Sequence, residues 1–352
     1  ILVAGGWPAL GLSLRVAPGA IWDVVLPTGP AARRLEDERQ ACLWLDDLAA
    51  IGSRPARVLA QGWVQDWIRH FGAGQGPGWT PELAGRRAWG WAAHARLLTQ
   101  GLDRTATDRF WRSLAGHQRY LALSWPDAPP GLPQIRALAG LVWIGRVLPH
   151  ASQPEAVADL GALAGSLIDA EGDLTSRAPG ELAEIVILLI WTARLLEDSG
   201  QHAMAPHLAA IVRAIPVLRP LRLGDGGMAR FHGGGAGTAE RIDQALAELR
   251  LVAQPKPQLP MGYARLTGGR VVVVPQDVSR DPAVLAQGDR SPPGRFQPGR
   301  DSFRQIPRCD PVRGLRTIPQ VPPRMARNRL PPRWPGAIRE SSHPTDVPVG
   351  AA

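Results

Sequence analysis

The stretch RVLAQGWVQDWIRHF, residues 57–71, indicates the fold class. Its large apolar residues recur every four positions, at Leu59, Trp63, Trp67 and Phe71. Because an α-helix has 3.6 residues per turn, this spacing places all four side chains on one face. The stretch therefore predicts an amphipathic helix whose aromatic face packs into a core.

Helical patterns of the same kind follow one another along most of the chain. Short connections marked by Pro, Gly or Asp separate them, so consecutive helices are expected to pack as antiparallel hairpins. No strand pattern alternates with the helices, which argues against an α/β architecture. The predicted fold class is all-α, an incomplete α/α toroid of antiparallel helical hairpins. The predicted helices lie near residues 35–51, 55–71, 81–101, 105–124, 133–148, 153–170, 180–198, 203–220 and 238–252.

Changes of pattern divide the chain into four predicted segments. Residues 1–34 form an extended first segment, and residues 35–254 form the α/α toroid domain. Residues 255–274 begin an antiparallel β-sandwich domain but supply only its first hairpin, MGYARLTGGRVVVV. Residues 275–352 hold 15 of the 35 prolines and no sustained period, which predicts a disordered Arg/Pro-rich tail.

The abrupt change after Val274 leads to a hypothesis about the tail. Out-of-frame reading of a GC-rich gene yields Arg- and Pro-rich, aperiodic sequence, so the reading frame is expected to shift near this residue. The alternative is a genuine basic tail that holds an anionic polymer. Sequencing the gene across this point in all three frames separates the two, because a restored frame should continue as alternating strands.

Charge and cysteine content exclude several classes of function. Of the net charge of +9, residues 275–352 contribute +6 (13 Arg against 7 Asp and Glu), so residues 1–274 contribute only +3. With no recognisable module in this basic tail, nucleic-acid binding is not expected. Two cysteines imply neither a disulfide framework nor a metal site. No signal peptide is visible, and the longest apolar run, residues 185–191, is too short to span a bilayer.

Two groups of residues are candidates for chemistry. Trp89 and Arg86 lie together on a predicted helix, where the tryptophan either packs in the core or lines a cleft beside the arginine. The loop RLGDGGMARFHGGGAG, residues 222–237, has seven glycines around Asp225, Arg230 and His232. It lacks the features of a phosphate-binding loop, so either a loop at the rim of the toroid or a purely structural loop is expected.

Five stretches together resemble the bacterial heparinase II/III-type polysaccharide lyases. They occur in the order of that family and cover about residues 21–274. The stretches are FGAGQGPGWTPELAGRRAWGWAAHARLL, DAPPGLPQIRALAGLVWIG, EGDLTSRAPGELAEIVILL, LRLGDGGMARFHGGG and MGYARLTGGRVVVV. The resemblance implies an α/α toroid followed by an antiparallel β-sandwich, and β-elimination on uronic-acid polysaccharides in the cleft between them.

The resemblance also implies roles for individual residues. β-Elimination needs a group that neutralises the uronate carboxylate and a Tyr or His that transfers the proton. The implied catalytic residues are Arg177, His232 and Tyr263. The implied substrate-binding residues are Asp225, Arg230, Trp89 and Arg86. One departure is Leu174, which stands where the family carries a His or Asn and which cannot neutralise a carboxylate.

The predicted function is therefore a heparinase II/III-like lyase, impaired because most of the sandwich is missing. The alternative is a non-catalytic carbohydrate-binding or scaffold toroid for anionic glycans. Neither a cofactor nor a metal is expected, and the expected partner is an acidic polysaccharide. The resemblance places the protein in the periplasm or cell envelope.

Overall fold

The computed structural model describes most of the first 273 residues. The described residues are 2–4, 6–9, 12–15, 21–148, 153–233, 235, 237, 239–249, 260–263, 266–268 and 271–273. All of them belong to one compact unit, Ile1–Arg290. The second unit, Ser291–Ala352, and with it most of the predicted tail, lies outside the described residues.

The described part of the chain is mainly helical, as predicted, with two small β-hairpins. The strands β1 and β2 pair antiparallel, and so do β3 and β4. The strands are β1 (Gly6–Ala9), β2 (Leu12–Arg15), β3 (Leu266–Gly268) and β4 (Val271–Val273). The helices are α1 (Pro30–Gln40), α2 (Trp44–Ile51), α3 (Arg54–Phe71), α4 (Pro81–Ala93), α5 (Ala95–Thr99), α6 (Arg104–Ser124), α7 (Leu132–Val147), α8 (Pro154–Leu167), α9 (Pro179–Asp198), α10 (Ala205–Leu218) and α11 (Ala239–Glu248).

Polar side chains define where several helices begin. Ser53 accepts a hydrogen bond from the amide of Ala56 at the start of α3, at 3.3 Å. Asp103 does the same for Ala106 at the start of α6, at 2.7 Å. Such caps satisfy amides that have no partner within the helix. Thr80 caps α4 in the same way, and the proline that follows it has no amide hydrogen to leave unpaired.

Two predicted helices are each divided in the structure. The segment predicted near 35–51 breaks between α1 and α2, where Cys42 has a φ of 56°. The segment predicted near 81–101 breaks at His94, between α4 and α5. In addition, α1 begins at Pro30, earlier than predicted. The Pro and Gly residues that suggested an extended segment include the proline that opens this helix.

The helices pack in an order that follows the sequence. Helix α4 packs against α7, α7 against α9, and α9 against α11. A second set of contacts joins α3 to α6, α7 to α8, and α8 to α10. The core between the helices is rich in tryptophan, and Trp44, Trp63, Trp67 and Trp91 are fully buried. In the described residues, no helix combines the length and apolarity needed to cross a membrane.

Candidate functional site

Helices α4 and α7 come into contact through two glycines, Gly85 and Gly140. A Cβ atom on Gly85 would lie 2.4 Å from the carbonyl oxygen of Arg136, and one on Gly140 would lie 2.3 Å from the carbonyl oxygen of Gly85. Real Cβ contacts are essentially never shorter than 3.0 Å, so neither position has room for a side chain. The close approach brings Arg86 of α4 and Arg136 of α7 to the same cleft.

This cleft lies between α2, α4, α7, α9 and α11 and holds about 370 Å³, counting the space open to solvent. Three arginines from three different helices line it, together with two carboxylates and apolar side chains. The lining, called the arginine cleft below, consists of Leu43, Asp46, Arg86, Trp89, Arg136, Glu184, Leu188 and Arg241.

Glutamates compensate two of the three arginines. Arg136 forms an ion pair with Glu82, and its Nη2 lies 3.9 Å from Oε1 of Glu184. The other oxygen of Glu184 accepts a hydrogen bond from Nη1 of Arg241 at 3.3 Å. Glu184 therefore bridges α7 and α11 from its position on α9. The carboxylate of Asp46 is engaged elsewhere, because its Oδ1 lies 2.8 Å from Nε2 of His94.

The third arginine, Arg86, has no such partner. Among the described residues, its guanidinium makes neither a hydrogen bond nor an ion pair. Burial and the nearby Arg136 lower the pKa of Arg86 to about 10, against the opposing effect of Glu184 and Glu82. A group with this pKa is still cationic at neutral pH. The cleft thus presents one positive charge that no neighbouring side chain pairs with directly.

One aromatic side chain, Trp89, lines the cleft, and other tryptophans pack against it. Trp89 stacks on Trp191, with ring centroids 5.6 Å apart and an angle of 18° between the planes. Trp143 meets Trp89 edge to face at 5.6 Å. The guanidinium of Arg241 lies 5.3 Å from the ring of Trp191, within the range of a cation–π contact. The indole nitrogen of Trp89 is buried without an acceptor among the described residues.

The residues predicted from the sequence fall into separate places. Arg86 and Trp89 lie together in the arginine cleft. Arg177, His232 and Tyr263 meet elsewhere: the ring of Tyr263 lies 6.4 Å from that of His232 and 5.3 Å from the guanidinium of Arg177.

The cluster around Tyr263 is held by contacts within the chain. The Tyr263 side chain is fully buried, and its hydroxyl donates to the carbonyl oxygen of Arg177 at 2.9 Å. Arg177 in turn donates from Nε to the carbonyl oxygen of Met261 at 3.0 Å. Phe231 stacks on Tyr263 at 4.7 Å. The hydrogen bond from the Tyr263 hydroxyl therefore links the segment 260–263 to the loop before α9.

The remaining predicted residues lie at the glycine-rich loop and beside it. Asp225 accepts a hydrogen bond from the amide of Gly227 at 2.9 Å, which closes a turn in that loop. Arg230 is exposed and makes no hydrogen bond or ion pair with a described residue. Leu174, the departure from the lyase pattern, is buried in the core. Residues 222–233 therefore form a folded loop, and no observation assigns them a ligand.

Sequence reasoning missed Arg136, Glu184 and Arg241, which complete the arginine cleft. The only local signal was Glu184, a charge directly before the apolar run of helix α9. Arg136 and Arg241 become recognisable only when α7 and α11 are placed beside it. For metals, the described residues contain no group of three His, Cys, Asp or Glu side chains suited to hold an ion.

A comparison with known proteins finds a relative of this chain. The chain is 30% identical over 253 residues to FtsZ-localized protein C of Caulobacter vibrioides. The similarity covers 70% of this chain but only 43% of the relative, so the chain spans less than half of the relative's length. No protein-family model matches the chain. No solved structure matches it either.

These findings overturn the expectation of a heparinase II/III-type polysaccharide lyase, and with it that of a glycosaminoglycan-binding toroid. The prediction was wrong because the stretches that carried the resemblance contain many residues that the helical packing itself requires. Gly85 and Gly140 permit a helix contact, and a Cβ on Gly172 would lie 2.0 Å from the carbonyl oxygen of Arg213. The acidic-polysaccharide partner, the absence of nucleic acid and the periplasmic or envelope location are untested and stay predictions.

Proposed function

We propose that this chain is a helical docking protein that localises with FtsZ. The observation that carries the proposal is the similarity over 253 residues to FtsZ-localized protein C. That stretch amounts to 70% of the chain, so it includes most of the helical unit. The name of the relative describes where that protein is found, and the proposal extends the same location to this chain.

The proposed architecture is an α/α toroid, incomplete as the sequence predicts. Helices α4, α7, α9 and α11 would form its inner layer, which is also the set that lines most of the arginine cleft. Helices α3, α6, α8 and α10 would form its outer layer. The helix contacts support this arrangement, because each inner helix packs against the next inner helix along the chain: α4 against α7, α7 against α9, and α9 against α11. Such a scaffold offers a rigid surface for docking.

The proposed chain has the four segments that its sequence predicts. The toroid domain would span residues 35–254, and the hairpin of β3 and β4 would begin a second, β-rich domain. The relative is long enough to hold such a domain, because more than half of it lies beyond the similarity. Residues 275–352 lie outside the described residues, and the frame-shift hypothesis for them stays a prediction.

The proposal is tested by following a fluorescent fusion of the full chain in Caulobacter vibrioides cells whose FtsZ carries a second label. The expected result is coincidence of the two signals in the FtsZ bands. The fluorescent protein alone is the control and should remain diffuse. A folded fusion that stays diffuse in cells with clear FtsZ bands would refute the proposal.

A second experiment asks whether the localisation is direct. The purified chain is sedimented with and without polymers of purified FtsZ. Co-sedimentation that depends on the polymer indicates direct docking. A fusion that localises in cells while the purified chain stays in the supernatant indicates that another protein connects the two.

A further inference from the structure

The arginine cleft has the features of a ligand site that the similarity to FtsZ-localized protein C does not assign. Arg86 carries a charge without a hydrogen-bonded partner among the described residues, in a cleft between five helices that is partly open to solvent. A guanidinium offers a planar fork of N–H donors that matches a carboxylate with two parallel hydrogen bonds. We propose that the arginine cleft binds a single carboxylate carried on an apolar group, and that Arg86 forms the fork.

The charges of the cleft favour one negative charge over several. Its three arginines exceed the two glutamates paired with them, Glu82 and Glu184, by one positive charge. Asp46 of the lining is a third carboxylate, but this group contacts His94 rather than an arginine. A phosphate dianion or a polyanion would bring additional negative charge close to these three carboxylates, which costs free energy in a partly buried site. A monocarboxylate matches Arg86, the one arginine of the cleft that no carboxylate pairs with directly.

The apolar part of the lining selects what is attached to the carboxylate. Leu43 and Leu188 line the cleft together with the indole of Trp89. The stacking of Trp89 on Trp191 fixes the orientation of that indole. The cleft is small and partly open to solvent, so the attached group is expected to be a phenyl or branched aliphatic group that lies against these side chains. Burial of such a group against tryptophan adds affinity through the hydrophobic effect.

Two sources could supply this chemistry: a free organic acid, or the C-terminal carboxylate of a peptide with an apolar last residue. The full chain is titrated by calorimetry and tryptophan fluorescence with 3-phenylpropionate, and separately with a tetrapeptide that ends in phenylalanine. The amide of each probe serves as its uncharged control. Tighter binding of the peptide identifies a peptide terminus as the source, and equal or tighter binding of the free acid identifies a small organic acid.

Variants then test the role of Arg86. Arg86→Gln should weaken carboxylate binding at least about tenfold, the loss expected for a charge-assisted pair of hydrogen bonds. Arg104→Gln removes the same charge from a side chain that is 95% exposed on α6, and should leave binding unchanged. If Arg86→Gln fails a thermal unfolding check, Arg86→Lys replaces it; it keeps the charge, loses the fork and should bind several-fold more weakly.

Three results would overturn the inference. The first is that neither carboxylate binds more tightly than its amide. The second is that Arg86→Gln, or Arg86→Lys in its place, binds like the unchanged chain. The third is that inorganic phosphate competes as well as the carboxylates. The inference does not depend on localisation with FtsZ, because these titrations use the purified chain alone and a negative result in cells would leave them unchanged.

Discussion

Arg86 and Arg87 are neighbours on α4, about 100° apart around the helix axis, and they lie in opposite kinds of surroundings. Arg87 is fully buried in the tryptophan core. Its Nη1 donates to the carbonyl oxygens of Gln40 and Gly78, at 2.8 and 3.1 Å, and its Nε donates to Nε2 of His117 at 2.9 Å. Arg86 lines the arginine cleft and makes no such bond.

The surroundings of Arg87 explain how a cation is kept in the core. Its guanidinium lies 3.9 Å from the ring centroid of Trp67 and 5.4 Å from that of Trp79. Burial lowers the pKa of Arg87 to about 9, which still leaves it charged at neutral pH. On the other side, Nδ1 of His117 lies 2.8 Å from the carbonyl oxygen of Ser113, so a neutral ring with its hydrogen on Nδ1 can accept the bond from Arg87.

The hydrogen bonds that each arginine makes distinguish a structural role, that of Arg87, from a binding role, that of Arg86. Both residues belong to the dipeptide RR, and nothing in the local sequence distinguishes them. In the structure, the donors of Arg87 are largely used to join α1, α4 and α6, whereas those of Arg86 remain available to a ligand.

The largest expected effect concerns stability and should differ sharply between the two positions. Arg87→Gln leaves two buried carbonyl oxygens and His117 without their donor, so the free energy of unfolding should fall by about 3–5 kcal/mol. Arg86→Gln breaks no hydrogen bond and should change it by less than about 1 kcal/mol. Urea unfolding of both variants checks this, and equal losses would contradict the contrast.

A second test addresses the helix contact that forms the cleft. Gly140→Ala would place a Cβ against the backbone of Gly85, so the helices must separate, at a cost of about 1–3 kcal/mol or more. The matched control is Gly116→Ala on α6, where a Cβ would meet no atom within 4 Å. This change should stabilise the helix by about 0.5–1 kcal/mol. If both variants lost the same stability, the close contact would not be essential.

A third test uses pH to probe the buried histidines of the core. Burial and the charge of Arg87 hold the pKa of His117 well below its ordinary value, and burial lowers that of His207. Below about pH 6.5 these histidines are protonated in the unfolded chain but stay neutral in the folded chain. The free energy of unfolding therefore falls as the pH decreases. Each histidine should contribute up to about 1.4 kcal/mol per pH unit.

Urea midpoints at pH 7.5 and 5.5 measure this slope. His207→Gln keeps a donor for the carbonyl oxygen of Leu189 and should remove about half of the pH dependence of the urea midpoint. The carboxyls of Asp37, Glu38 and Asp47, whose pKa values are raised by burial, act in the opposite direction at lower pH, which is why the window ends at 5.5. A midpoint independent of pH over this window would contradict the prediction.

The smallest expected effect is a change in the carboxylate affinity of the arginine cleft. Glu184→Gln removes one of the carboxylates that compensate Arg136 and Arg241, so the cleft becomes more positive. Carboxylate affinity should rise about three- to tenfold, since one charge at this range contributes about 1 kcal/mol in a solvated site. Titration with 3-phenylpropionate measures the change. Weaker binding in a folded variant would show that Glu184 serves to orient the arginines.

Local sequence patterns predicted the helices better than they predicted the site. All nine predicted helical segments contain helices, but two are broken by contacts between distant residues. The carbonyl oxygen of Gln40, at the end of α1, accepts from Arg87, and His94, at the end of α4, contacts Asp46. For Arg86 and Trp89, the helical pattern left core packing and a cleft both open, and only the family resemblance implied a binding role. Arg136, Glu184 and Arg241 come from three other helices, and no local pattern connects them.

The contact between Gly85 and Gly140 also has a consequence for how related chains should diverge. Arg86 can be exchanged at little cost to folding, so a lineage that stops using the cleft is free to lose it. The two glycines have no such freedom, because any other residue at either position collides with backbone. Among distant relatives, paired glycines at these positions should therefore persist as a mark of common descent, and an arginine beside the first of them should mark the lineages that still bind a ligand there.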